Sequence, residues 1–303
     1  MSRRLEFTVP PEAAGVRVDT LLKRHLGLSG TVVRRIKWLP DGILADGVRV
    51  NTRYVPQPGQ VLSVRLSDPE RRSGVVPAPG PLDILYEDGD IVVVNKAAGV
   101  PVHPGPGHFS DTVGNFLLYH YDLEGEEADF HPVHRLDRGT SGLLAVAKHA
   151  HAQEALKGQL HTAAFRRTYL AVCRGVPEPA AGVIDAPLGP RPGSLVEQMV
   201  RSDGKPARTR YETLEAWGDR ALLRLELDTG RTHQIRVHLA HIGHPILGDT
   251  VYGAKKPVPG LTGQCLHAVG LRFLHPRTGE PVELTCPLPE EFVRMLDKLQ
   301  RGS

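Results

Sequence analysis

Apolar and polar positions change their period several times along this chain of 303 residues. From Val16 to Lys37 they recur at helical spacing in two groups, Leu21, Leu22 and Leu26, then Val32, Val33 and Ile36. Asp19 and Ser29 stand where each helix would take its cap. The period then shortens. Ile43 to Asn51 is an apolar segment broken by an Asp46-Gly47 turn, and Val61 to Leu66 follows Pro58-Gly59. Two short helices and a small hairpin sheet are expected in residues 1–66. From Ser67 to Pro81 periodicity gives way to Ser, Pro and Gly with charges at Asp68, Glu70, Arg71 and Arg72, the pattern of a flexible linker.

Residues 82–303 read as a larger unit. Leu82 to Lys96 forms two strand-like runs around Asp88-Gly89, and further strands are predicted at Gly142–Lys148, Thr168–Cys173, Tyr211–Trp217, Ala221–Asp228 and Leu271–His275. Helices are predicted at Thr112–Tyr121, His151–His161, Thr232–Ile242 and Glu290–Gln300. Strands outnumber helices without alternating with them, so the expected class is α+β with a mixed, mainly antiparallel sheet. No Gly-x-Gly-x-x-Gly or P-loop pattern and no repeat occurs, so nucleotide-cofactor chemistry has no support.

Composition narrows the classes. Hydrophobic residues make up 40% and charged residues 23%, and no apolar run approaches the roughly 18 residues of a bilayer span. The N-terminus lacks a signal-peptide stretch, and Cys173, Cys265 and Cys286 form neither a paired framework nor a metal-type spacing. A cytoplasmic protein with inert thiols is expected. The net charge of +3 hides an asymmetry: residues 1–66 carry 11 basic and 5 acidic side chains, the remainder 26 and 29. Lys23 and Arg24 on the first helix and Arg34, Arg35 and Lys37 on the second would form a basic face. Such a face suits phosphate backbones, or is simply solvated.

Candidate chemistry concentrates in two places. In His134-Arg135-Leu136-Asp137-Arg138-Gly139-Thr140-Ser141-Gly142, a carboxylate lies between Arg135 and Arg138, which favour its charged form and suit it to act as nucleophile or general base. Ser141 with His134 invites a hydrolase reading, but the Gly-x-Ser-x-Gly elbow is missing. In the second place a strand ends at Thr229-Gly230 and Arg231 stands in the first turn of a helix, a location suited to holding a carboxylate or phosphate. His238, His241 and His244 suggest a metal, but no acidic residue lies among them and a polar helix face explains the spacing.

Together with Arg167-Thr168-Tyr169-Leu170-Ala171-Val172, Gly243 to Asp249 and Leu266-His267-Ala268, these two segments occur in the order found in the RluA-type RNA pseudouridine synthases, which the chain resembles from about Leu82 to Pro289. Arg17-Val18-Asp19-Thr20-Leu21-Leu22 and Gly42 to Val55 resemble the S4 RNA-binding domain. The resemblance implies isomerisation of a uridine within RNA, exchanging an N1–C1′ for a C5–C1′ bond without a cofactor. It further implies that Asp137 is the nucleophile, that Tyr169 packs on the target base and assists loss of the C5 proton, and that Arg231 pairs with the catalytic carboxylate. Asp137 could attack C1′, act as base at C2′ or add at C6. Arg135 and Arg138 would serve phosphates or loop structure. The S4-like start and the likeness to large-ribosomal-RNA members favour ribosomal over transfer RNA as partner, with the chain acting as a monomer. The competing classes are a non-catalytic RNA-binding or ribosome-assembly factor on the same fold and a metal-dependent hydrolase.

Overall fold

Helix α1 (Val18–Arg24) and helix α2 (Gly30–Ile36) form at the two apolar groups of the first stretch, in a computed structural model that describes residues 3–67 and 70–302. Asp68, one of the charged positions of the expected linker, lies outside the described residues. The Ser29 hydroxyl accepts from the Val32 amide at 3.2 Å and caps α2 as predicted. Asp19 does not cap α1: the helix begins two residues earlier than that cap implies, with Arg17 at the cap position, and Asp19 falls in its first turn.

Strand β1 (Arg4–Thr8), which the sequence pattern did not reveal, joins β2 (Ile43–Ala45), β3 (Val48–Arg49) and β4 (Val61–Arg65) in an antiparallel sheet ordered β1–β4–β2–β3. Asp46 and Gly47, with φ of 46° and 80°, make the left-handed turn that the β2–β3 hairpin requires. Leu21, Leu22, Val32, Ile36, Leu62 and Val64 bury a core of their own between the helices and this sheet.

The Ser/Pro/Gly-rich stretch that follows is irregular but fastened, contrary to the flexible linker expected. The Asp129 carboxylate accepts from the amides of Arg72 and Ser73 at 2.8 and 3.0 Å. Asn115 donates from its side chain to the Val76 carbonyl at 2.7 Å and accepts from the Ala78 amide through its own carbonyl. Lack of period removes regular structure, not the need to satisfy backbone groups. Just before it, Arg65 ties the two cores together, donating to Asp41 at 2.8 Å and to Glu127 at 2.6 Å.

The larger sheet comprises β5 (Ile84–Glu87), β6 (Ile91–Lys96), β7 (His131–Pro132), β8 (Ser141–Ala147), β9 (Arg166–Arg174), β10 (Ala181–Asp185) and, past a hairpin of β11 (Leu188–Pro190) and β12 (Gln198–Val200), β13 (Arg208–Trp217), β14 (Arg220–Leu227), β15 (Leu266–Leu274) and β16 (Pro281–Thr285). Its main path runs β10–β13–β14–β9–β15–β8–β6–β5, with β16 beside β15 and β7 beside β8. β8 and β15 run parallel and the other pairings are antiparallel, giving the mixed α+β fold expected.

Both faces of the central strands are buried: Val92, Val94, Leu144 and Val146 point into one core, Ile91, Val93, Leu143 and Ala145 into another. That is why these strands read as unbroken apolar runs. Helix α3 (Val113–Leu123) and helix α6 (Glu290–Arg301) cover the first face, and α4 (Ala150–Gln159) the second. Thr112 caps α3 by a reciprocal bond with Asn115, and His149 caps α4 by accepting from the Ala152 amide at 3.2 Å. Helix α5 (Gln234–His241) starts two residues later than expected because His233 adopts a left-handed backbone with φ of 58°. No helix among the described residues is long and apolar enough to cross a membrane.

At the entry of β8, Gly142 has φ of +106°, and a Cβ there would lie 2.3 Å from the Ala268 carbonyl oxygen of the parallel neighbour β15. Gly142→Ala is therefore expected to destabilise the fold by at least about 2 kcal/mol in denaturant unfolding, since it adds backbone strain to a clash that neither strand can relieve.

Candidate functional site

The loop between β7 and β8 carries Asp137 and is fixed from several sides. Leu136 inserts into the main core, and Thr140 is buried with its hydroxyl accepting from Gln264 at 2.8 Å. Beneath it, the buried Lys96 ammonium donates to the carbonyls of Ala97, Val100 and Arg138 at 2.8, 2.9 and 3.2 Å, and the Gly99 amide also donates to Arg138. The peptide that follows the candidate carboxylate is thus held twice. Burial pushes the Lys96 ammonium down to about 7, with the Asp137 charge acting in the opposite direction. His134 does not face Ser141: its Nε2 accepts from the Ala145 amide at 3.2 Å, and burial with Arg167 nearby pushes its ring down to about 3, so it is neutral. Ser141 lies instead 2.9 Å from Nδ1 of the buried His267.

The cation paired with Asp137 is Arg236, not Arg231. Arg236 lies within α5, donates Nη1 to Asp137 Oδ2 at 3.1 Å, and forks onto both oxygens of Asp249 at 2.7 and 3.0 Å. The Asp249 side chain has no exposed surface and also accepts from the amides of Val251 and Tyr252. Burial pushes its carboxyl up, but the Arg236 bonds and charge and these amides outweigh it and hold it below the usual range. Tyr252 packs 5.1 Å from the Arg236 guanidinium and bonds Nδ1 of His233 at 2.8 Å, while His233 Nε2 lies 4.0 Å from Asp137. Arg231 falls short because the helix starts after it. Its amide donates to the Gln234 side chain and its Nε to the Pro206 carbonyl at 3.0 Å.

Asp137, Tyr169 and Arg231 nevertheless line one cleft of about 540 Å³. Tyr169, Leu227, Ile235 and Leu266 form its apolar wall; Arg135, Arg167 and Lys157 supply cations. Burial pushes the Tyr169 phenol up, so the side chain meets a ligand as a neutral hydroxyl on an aromatic ring. A second cleft of about 820 Å³ shares Asp137, Arg236, His233 and Arg135 with the first, and Arg138 lies on it, donating to Nε2 of His108 at 3.1 Å. A carboxylate at the junction of two cation-bearing clefts, beside an apolar wall, fits a planar ring attached to a phosphate chain. Lys23, Arg24 and Arg34 are exposed and Arg35 and Lys37 half-buried, on α1 and at the end of α2, outside both clefts.

The three histidines do not converge as a metal site. His238 is engaged at both nitrogens, with Thr209 Oγ1 at 2.8 Å and the Ala186 carbonyl at 2.9 Å, and His244 faces the Arg174 carbonyl at 3.1 Å. Arg236, Asp249, His233 and Lys96 were missed in the sequence as members of the site. Arg236 was within reach, five residues beyond Arg231 in the helix predicted at Thr232–Ile242.

The family model described as RNA pseudouridylate synthase matches residues 90–241. An uncharacterized RNA pseudouridine synthase of Bacillus subtilis is 41% identical over 304 residues, covering 99% of each chain. A ribosomal large subunit pseudouridine synthase D of Xylella fastidiosa is 38% identical over 311 residues, covering 98% of this chain and 93% of its own. Among solved structures, human RNA pseudouridylate synthase domain containing 4 superposes with a TM-score of 0.58 at 29% identity, over 72% of this chain and 93% of its own.

Arg236→Met leaves Asp249 buried and unpaired, and is expected to cost about 3–5 kcal/mol in denaturant unfolding at neutral pH, against less than about 1 for Arg231→Ala. Because the folded-state Asp249 carboxyl titrates below its unfolded value, the pair's contribution is present above the ordinary carboxylate range and lost as pH falls through the folded value. The gap between wild type and Arg236→Met therefore narrows in acid.

Proposed function

The chain belongs to the RNA pseudouridine synthases, enzymes that isomerise uridine within RNA, and from that premise we propose that Asp137 is the nucleophile, that Tyr169 is the platform for the target uracil, and that the substrate is ribosomal RNA of the large subunit. The observation that carries the reading is the Asp137 carboxylate, held by Arg236 at 3.1 Å on the floor of a cleft whose wall is Tyr169. In the reaction the N1–C1′ bond breaks, the uracil turns, C5 bonds to C1′, and the C5 proton leaves while N1 gains one. The charges of the site suit each demand. Arg236 aims the carboxylate, the apolar wall holds the detached ring, and the neutral Tyr169 hydroxyl accompanies the ring during its turn. Reaching the cleft requires the uridine to leave any stack, at a cost of a few kcal/mol, which favours loop or otherwise accessible positions.

Residues 1–66 form, in this reading, an S4-like RNA-binding module, 67–81 a connecting strap and 82–303 the catalytic domain. Lys23, Arg24, Arg34, Arg35 and Lys37 meet phosphates on the module, Arg135 and Arg138 at the cleft. Support comes from the separate core of the module and its excess of basic over acidic residues. The Xylella relative's name supports ribosomal RNA, and with it a cytoplasmic setting.

Tritium release from C5-labelled uridine in ribosomal RNA tests the nucleophile: Asp137→Asn keeps size and shape and is expected to lower the rate by at least about a thousandfold with RNA binding retained. A rate near wild type overturns the assignment. For the module, replacing Lys23, Arg34 and Lys37 together by Gln is expected to reduce the slope of log Kd against log salt by about two to three, at unchanged thermal stability. An unchanged slope places the phosphate contacts elsewhere.

A further inference from the structure

Trp38 is one of two tryptophans in the chain, follows directly on the C-terminus of α2, and is 76% exposed. A large apolar ring left in water at the surface does nothing for the module's core, whose buried members and packed neighbours do not include it. Its surroundings are cationic. The Lys37 ammonium stands 4.8 Å from the centroid of the indole, over its ring, and Arg34 and Arg35 occupy the preceding turn. Arg35 is also close enough to bear electrostatically on His131, whose neighbour Pro132 lines the cleft of Asp137. The basic helix end thus neighbours β7, whose Pro132 lines that cleft.

We propose that Trp38 is a stacking platform for an unpaired base of the RNA substrate, held beside the cleft while the target uridine enters it. The inference rests on the reading of residues 1–66 as an RNA-contacting module. An aromatic face next to several cations suits a single strand, whose bases offer π faces and whose backbone offers phosphates. With Lys37 over one face of the indole, the other is available to a base, and the ammonium sits where it can reach the adjoining phosphate. A paired duplex buries its base faces and would find only the cations. A protein partner of matching shape would lack the reason for the surrounding positive charge.

The test uses the full chain with Trp217→Phe, which leaves Trp38 as the single indole. The probes are a fluorescein-labelled RNA hairpin with a uridine-rich single-stranded loop and a fully paired RNA duplex of equal length. Trp38 emission is expected to be quenched at saturation by the hairpin and not by the duplex. Trp38→Ala is expected to weaken hairpin binding by at least about fivefold while leaving duplex binding and the salt slope unchanged, and Trp38→Phe to retain most of the affinity. Unquenched emission at saturation, or equal hairpin binding by Trp38→Ala, overturns the proposal. If Trp38→Ala is silent while the Lys23, Arg34 and Lys37 substitutions weaken binding, stacking fails and the module reading stands; if both are silent, the module reading itself fails. A Trp38→Ala effect confined to self-association of the chain overturns the proposal in favour of a second copy as occupant.

Discussion

One guanidinium organises the cleft around Asp137. Arg236 gives two parallel bonds to Asp249 and a third to Asp137, so the carboxylate exposed to substrate is positioned by one that is not. The planar fork makes this arrangement specific, since a point charge in the same place would pull on both carboxylates without fixing the plane of either. Asp249 in turn is locked by two backbone amides, and Tyr252 of the same segment packs on the guanidinium and bonds His233. The loop of Asp137 lies 99 residues from Arg236 in the chain, yet neither it, helix α5 nor the segment around Asp249 can shift without breaking a bond of this fork. The stability of the fold and the aim of Asp137 therefore share a physical cause.

Lys96 completes the restraint from the opposite side. Its ammonium lies under the loop and spans three carbonyls, including the one immediately after Asp137. Burial alone favours loss of its proton, but a neutral amine has only two N–H groups for those three acceptors, and the Asp137 charge adds to the demand for the cation. Arg236 thus restrains the side chain of Asp137 and Lys96 its backbone. A group held at both ends can meet a developing bond with little reorganisation, which is how a carboxylate gains from a rigid site.

Much of this was legible beforehand. The apolar runs of β6 and β8 announced strands, Ser29 announced a helix start, and the His134–Gly142 segment announced the loop that carries the paired carboxylate. What failed did so for identifiable reasons. Placing Arg231 in the first turn of a helix assumed that the helix follows directly on Thr229-Gly230, whereas a left-handed residue at His233 delays it and turns Arg231 toward Pro206. The same delay sets Arg236, the third residue of the helix, in its first turn and facing inward. Lys96 ends an apolar strand, where a lysine reads as a solvated terminus, and only tertiary packing buries it. The strap after residue 70 lacked period and so read as flexible, although Asp129 and Asn115 hold its backbone. Side chains that satisfy distant backbone groups leave no local trace.

The distribution of charge also looks different once pairing is known. By formal count the chain beyond residue 66 is acidic, which would repel a polyanion. Several of its carboxylates, however, turn inward: Asp249 faces Arg236, Asp90 faces His149 and Arg277, and Asp129 faces backbone amides. Their charge is balanced within a few ångströms and contributes little field outside. Arg135 and Arg138, by contrast, are exposed at the clefts. An approaching phosphate chain therefore meets these two cations locally at the clefts, with the basic end of the chain adding attraction at longer range. Net charge describes neither; the positions of the exposed cations decide what a phosphate chain would meet.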